Sequence, residues 1–245
     1  MKSLFKFSLS IVSHGQGALI RSLLEDLCQD QAQHGRRYEV LLTLNIPEDE
    51  SFVDEFADRL SLLVIRNMKQ KGFGTNHNAA FAASSGEVFV VLNPDIRLRH
   101  FPDDLITASL TGTTGAWAPL VRSSSGSVED SFRRFPTVAR LLRRTVLRRR
   151  HPDYVAKETP IEVDWVAGMF IAFRRTTFVD LHGFDERYYM YMEDVDICRR
   201  LQRSGLSVLL DPRANVVHDA QRASRRSRQH QKWHLRSALR YLTGF

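Results

Sequence analysis

Three carboxylates crowd the stretch YYMYMEDVDICRR (188–200): Glu193, Asp194 and Asp196, with tyrosines and methionines before them and two arginines after. A carboxylate against apolar surface can act as a general base. Alternatively, the same acids only open a helix, where they offset the backbone dipole by up to about 1 kcal/mol. A further acid, Asp95, ends the run VFVVLNPD. There it could hold a divalent cation that bridges a pyrophosphate, because hard cations take oxygen ligands and often keep only one or two from protein; the plainer reading of NPD is an Asx turn. Ahead of it, NMKQKGFGTNHNAA (67–80) is a Gly-rich turn entering a helix, a place where backbone N–H groups can approach phosphate. Its glycines fit neither GxGxxG nor the Walker A spacing, which disfavours a dinucleotide fold and a P-loop.

Elements that could position these groups alternate along the chain. FSLSIVSH (7–14), YEVLLTLN (38–45), LLVIRN (62–67) and EVFVVLNPD (87–95) read as strands. ALIRSLLEDLCQDQ (18–31), VDEFADRLS (53–61) and GTNHNAAFAASSG (74–86) read as helices, the last stopping at Gly86. Such alternation predicts an α/β fold whose mostly parallel sheet is covered on both faces, with ligand at the carboxyl ends of the strands. Glu193 and Asp194 are expected in the first turn of a helix running to Gly205, kept ionised near neutral pH by its dipole. Val195, Cys198 and Leu201 would bury one face of that helix, and Asp196 would pair with Arg200 four residues on.

Composition bounds the remaining classes. The chain has 245 residues, 43% hydrophobic and 26% charged, enough for a real core. Cys28 and Cys198 lie far apart without metal-ligand spacing, so neither a disulfide framework nor structural zinc is expected, and a cytoplasmic setting is. The N-terminus reads as a strand rather than a signal peptide, and no run is long enough to span a membrane. The net charge of +7 is unevenly placed. Eight arginines lie between Phe132 and His151, and seven basic residues between Arg222 and the end, with no acid in either segment; the body keeps 20 basic against 28 acidic residues. A nucleic-acid binder using these arginines is the alternative of a different class, disfavoured by the acidic body and by the lack of interleaved exposed aromatics. An EF-hand is excluded because the sixth position from Asp194 is Arg199, where Gly is needed.

The blocks RNMKQKGFGTNHNAAF, VVLNPDIRL, VDWVAGMFIAFRRTTFVDLHGFDERYYMYMEDVDICRRLQRSG and VVHDAQRAS resemble, in order and spacing, the family 2 inverting glycosyltransferases, most of all the bacterial rhamnosyltransferases. The resemblance covers about Phe7 to Ser224. It implies a GT-A domain over residues 1–221, with a nucleotide-sugar half (1–97) and an acceptor-binding, catalytic half (98–221), followed by a basic amphipathic helix (222–245). It makes Asp194 the catalytic base with Glu193 beside it. Asp95 becomes the contact of a Mg²⁺ or Mn²⁺ ion, although Asn93 stands where the first Asp of the DxD motif belongs, so partial metal dependence is expected. His218 matches the late histidine that approaches metal or diphosphate. Ser13, His14, Asn45, Asn67, Gly72, Asn76, Asn93 and Asp95 form the implied donor site; Trp165, Gly168 and Tyr191 form the implied acceptor site, where the tyrosines either stack on sugar or pack.

The implied reaction is transfer of L-rhamnose from dTDP-rhamnose to a hydroxyl of a bacterial surface glycan such as lipopolysaccharide O-antigen, with a UDP-hexose or UDP-galactofuranose as alternative donor. The implied partners are a dTDP- or UDP-linked donor and a lipid-linked acceptor, with no nucleic acid. The two basic segments add an expected peripheral association with the anionic inner face of the cell membrane: Val138, Leu141, Leu142, Thr145 and Val146 in one, and Trp233, Leu235, Leu239, Tyr241, Leu242 and Phe245 in the other, read as apolar faces among arginines. Packing of these helices on the body, or binding of an anionic acceptor, is the competing reading.

Overall fold

The computed structural model describes residues 6–140, 152–218 and 228–244. Its centre is a nine-stranded mixed sheet. Strands β1 (Phe7–Ser13), β2 (Tyr38–Leu44), β3 (Ser61–Arg66) and β4 (Val88–Leu92) form a parallel half in the order β3-β2-β1-β4. Beyond β4 the order continues through β10 (Phe170–Arg174), β6 (Thr114–Ser123), β11 (Ser207–His218) and β5 (Ile96–Arg97), with β8 (Ile161–Val163) beside β11. Strand β10 runs antiparallel to both its neighbours, while β6 and β11 are parallel. A separate ribbon pairs β7 (Phe132–Arg133) with β9 (Trp165–Val166).

Alternation along the strands builds a core on each face. Val88, Val90 and Leu92 of β4 point into a cluster with Ile20, Leu23, Leu24 and Leu27 of helix α1 (Gly17–His34). Phe89 and Val91 point the other way, towards Phe178, Phe184, Ile197, Cys198 and Leu201. Burying such side chains is worth about 1.5–3 kcal/mol each, which is why an apolar run without alternation becomes the central strand. The second face is covered by helices α2 (Phe73–Ala83), α4 (Arg175–Asp180) and α5 (Glu193–Arg203); α3 (Asp103–Ser109) covers the first, and α6 (Arg228–Thr243) lies against the 188–192 loop.

Two expected details change. VDEFADRLS forms only the end of a short 3₁₀ helix, Ser51–Phe56, because Phe52, Val53 and Phe56 reach the core within one tight turn. Gly86 does not cap α2, which ends at Ala83. Its role is close approach: its N–H donates to Ser8 Oγ at 2.7 Å, and a Cβ there would stand 2.5 Å from that oxygen. In the first basic segment, Leu141, Leu142, Thr145 and Val146 lie outside the described residues, as do 222–227 and Phe245 in the second.

Candidate active site

Strand pairing brings the cation-binding candidates together. The chain leaves β4 at Leu92 and turns through Asn93-Pro94-Asp95, where the Ile96 N–H donates to the Asn93 carbonyl at 3.2 Å. Strand β5 then pairs with the end of β11, placing His218 opposite Ile96. His218 Nε2 consequently lies 3.1 Å from Asp95 Oδ2, with both side chains largely buried. Asp95 Oδ1 is buried and has no hydrogen-bond partner among the described residues. Helix α1 fixes this turn from behind: Asp26 accepts two bonds of 2.7 Å from the Arg97 guanidinium and one from the Leu98 N–H, while Asp30 accepts from the Phe101 N–H.

The second group is Glu193 and Asp194. Tyr191 and Met192 immediately before them have φ of 69° and 68°, left-handed values that cost non-glycine residues about 1–2 kcal/mol each and re-aim the chain into α5. Asp194 Oδ2 accepts from the Gly168 N–H at 3.2 Å, and Oδ1 from the Val195 N–H at 2.8 Å. The expected ionisation of both acids by the helix dipole needs correction. Burial pushes Asp194 up to about 6 in spite of those backbone bonds, and burial together with the Asp194 charge pushes Glu193 well above the carboxylate range. Desolvation outweighs the dipole at both acids. The structural expectations for α5 hold: Val195, Cys198 and Leu201 are buried, and Asp196 accepts from Arg200 at 2.7 Å.

Both groups line one cleft of about 560 Å³ together with Asn93, Gly168, Tyr191 and His14. His77 and His230, without any signal in the sequence, line it as well. His77 packs on Phe73 with ring centroids 4.4 Å apart, its Nδ1 lies 2.8 Å from Ser10 Oγ, and burial lowers its pKa to about 3, so it is neutral. His14 is also lowered by burial. His230 comes from α6 and meets the Tyr191 hydroxyl at 2.8 Å.

Other residues expected at the donor or acceptor stand behind the wall. Asn45 Oδ1 accepts from Asn67 Nδ2 and from the Lys71 N–H, Asn45 Nδ2 donates to the Lys71 carbonyl, and Asn67 Nδ2 also donates to Asn76 Oδ1. All three asparagines are buried and line no part of the cleft; their amides hold the 67–72 loop. Gly72 faces Tyr189 rather than phosphate: an added Cβ would meet the Tyr189 carbonyl oxygen at 2.6 Å, and the Phe73 N–H already donates to that oxygen. Ser13 is buried and donates to Glu48. The Trp165 indole N–H donates to the Arg134 carbonyl at 3.0 Å, away from the cleft, whereas Gly168 lies in it because any Cβ would stand 2.8 Å from the Phe73 ring. Tyr188 is buried and Tyr189 packs on Trp233 with tilted rings, leaving Tyr191 as the tyrosine at the cleft.

Glu129 and Asp130 line the cleft as well. No family model matches the chain. It is 31% identical over 248 residues to the rhamnosyltransferase WbbL of Escherichia coli (strain K12), covering 95% of this chain and 90% of that protein. It is 36% identical over 169 residues to N-acetylglucosaminyl-diphospho-decaprenol L-rhamnosyltransferase of Mycobacterium tuberculosis, covering 60% of this chain and 55% of that one. Among solved structures, GalNAc-T7 with UDP, GalNAc and Mn²⁺ superposes with a TM-score of 0.66 at 17% identity, over 89% of this chain and 43% of that one. The mannosyltransferase PcManGT of Pyrobaculum calidifontis with GDP-Man and Mn²⁺ gives 0.62 at 20% identity, over 96% and 64%. The structural likenesses establish the GT-A fold, and with the WbbL match they decide the family. The chain belongs to the family 2 glycosyltransferases, in the branch of the bacterial rhamnosyltransferases.

Proposed function

We propose that the protein transfers L-rhamnose from dTDP-rhamnose, with inversion, to a hydroxyl of a lipid-linked glycan at the cytoplasmic face of the membrane, in surface-polysaccharide synthesis. One observation carries the reading: Asp194 and the Asp95–His218 pair line the same cleft. The acceptor oxygen attacks the anomeric carbon, the bond from that carbon to the diphosphate breaks on the opposite face, and Asp194 takes the hydroxyl proton. Glu193 beside it would shape the acceptor site. Residues 1–97 would cradle the nucleotide, and 98–221 the acceptor.

Asp95 and His218 fit a divalent cation, because the buried Asp95 Oδ1 lacks a partner among the described residues while Oδ2 faces an imidazole. Bound there, Mg²⁺ or Mn²⁺ would neutralise charge on the departing diphosphate. No group of three His, Cys, Asp or Glu that could hold a metal occurs among the described residues, so donor oxygens would have to complete the shell. The mycobacterial relative's decaprenol-linked acceptor and the Mn²⁺ in both solved relatives support these assignments.

The test is a donor screen across dTDP-rhamnose, UDP-glucose, UDP-galactofuranose and GDP-mannose, with the anomeric configuration of the product read by NMR. Turnover of dTDP-β-L-rhamnose to an α-linked product is expected. Preference for a UDP-hexose would discard the rhamnose reading, and a β-linked rhamnoside would discard inversion.

A further inference from the structure

Helix α6 has two faces, and the body occupies only one of them. On that side Trp233 packs on Tyr189 with tilted rings whose centroids are 4.9 Å apart, Ser237 Oγ donates to the Met190 carbonyl at 2.8 Å, and Tyr241 accepts from Arg199 at 2.8 Å. Trp233 and Tyr241, expected from the sequence to face a membrane, are thus turned inward. The outward side carries Leu235, Leu239 and Leu242, which are 63%, 54% and 37% exposed. At about 100° per residue the three leucines span an arc of about 60°, and Lys232, Arg236 and Arg240 fill the adjoining arc of about 80°. None of these three cations has an acidic partner among the described residues, and the helix contains no acid.

We propose that this face docks on an anionic phospholipid bilayer, with α6 lying along the interface, the leucines at the boundary between headgroups and acyl chains, and the cations on lipid phosphates. The helix is the right one to do so. It contributes His230 to the cleft and braces the loop that leads into Glu193 and Asp194, so docking brings the catalytic cleft to the membrane surface. The proposal rests on the reading above for its acceptor, which would be presented at that surface. Two facts favour a bilayer over a second copy of this chain. A symmetric contact would set Lys232, Arg236 and Arg240 against their own images, and three leucines fall well short of the about 800 Å² per partner of a standard interface.

The experiment is sedimentation of the full chain with phosphatidylcholine vesicles, with and without phosphatidylglycerol, at low and high salt. Two triple variants accompany it, Lys232→Gln/Arg236→Gln/Arg240→Gln and Leu235→Ser/Leu239→Ser/Leu242→Ser. Wild type should partition onto anionic vesicles and be released by salt. The charge variant should bind about 100-fold more weakly, and the leucine variant at least about tenfold. Five of the six changed side chains are exposed and Arg240 is half-buried, so melting temperature should shift little and hydrolysis of dTDP-rhamnose in solution should stay at wild-type values. Equal sedimentation with neutral and anionic vesicles at low salt, or wild-type binding by both variants, overturns the proposal. So does a dimer that the leucine variant dissociates, without vesicle binding. If vesicles bind as stated but no nucleotide-sugar is turned over, the docking surface stands and the catalytic reading fails.

Discussion

Replacing Asp194 by Asn separates the two things its carboxylate does. The base is lost, so kcat should drop about 10²-fold or more, some 3 kcal/mol of transition-state stabilisation, while the Kd for donor stays within about twofold. In wild type the folded pKa is raised from 3.8 to about 6, so the charge is held against an upward pull of about 3 kcal/mol. The sign follows from linkage: a carboxylate whose folded pKa lies above its unfolded value gives stability that is full below pH 4 and is lost as pH rises through about 6. Asn carries no such charge, but it keeps only one acceptor oxygen, so either the Gly168 or the Val195 N–H loses its partner to an NH₂ that also donates, a loss of about 1 kcal/mol. The net effect should be a gain of about 1–2 kcal/mol in unfolding free energy at pH 8 that turns into a loss of up to about 1 kcal/mol by pH 4. Urea unfolding of both proteins at pH 4, 6 and 8 measures it, and kcat/KM of the wild type should fall tenfold per unit below pH 6. A variant with wild-type turnover, or a wild-type rate flat from pH 5 to 8, would refute the reasoning about this acid.

Asp95→Ala should weaken donor binding by about tenfold or more in Mn²⁺ as read by calorimetry, and EDTA should lower wild-type transfer only in part, because Asn93 replaces an acid; full activity in EDTA with unimpaired Asp95→Ala sinks the cation assignment. Asn67→Ala leaves Asn45 Oδ1 and Asn76 Oδ1 each short of a donor in a buried site and should cost about 1–3 kcal/mol, visible as a lowered melting temperature; no change would mean that water replaces the amide. Gly168→Ala sets a methyl 2.8 Å from the Phe73 ring and should cost about 1–3 kcal/mol along with a raised donor KM, whereas an unaltered KM would mean that the ring yields without narrowing the cleft.

The fold was legible where one physical term dominates. VFVVL has no polar alternation, and only a strand buried on both faces accommodates that; helix α5 shows an apolar face at Val195, Cys198 and Leu201 with acids ahead of it and arginines behind. Asp95 could be placed because strand β4 ends at the ligand edge, whereas the roles expected of Asp194 and His218 came from the family resemblance. What could not be read was the use of polar groups inside. Asn45, Asn67 and Asn76 look like ligands in a sequence, since nothing local says that their partners will be one another. Asp26 meets Arg97 71 residues away, a pairing set by the packing of α1 across the sheet and not by either neighbourhood. The dipole argument for Glu193 and Asp194 failed for the same reason: it counts charge near a helix end but not the loss of water around it.

The 188–192 loop explains why so many of these constraints converge on the base. Its backbone adopts two consecutive left-handed residues, a conformation that local preference opposes and that persists only if its surroundings over-determine it. The surroundings do so from both sides. Helix α2 donates its first N–H to the Tyr189 carbonyl, and the close approach of Gly72 makes room for that contact; helix α6 packs Trp233 on Tyr189, bonds Ser237 to the Met190 carbonyl and sets His230 against the Tyr191 hydroxyl. Each contact is worth of the order of 1 kcal/mol, and together they match the strain of the turn. Helix α2 and helix α6 therefore both act on the same five residues, and through them on the orientation of Asp194 against Gly168. A conformational change in either helix would be felt first at Asp194, the proposed base.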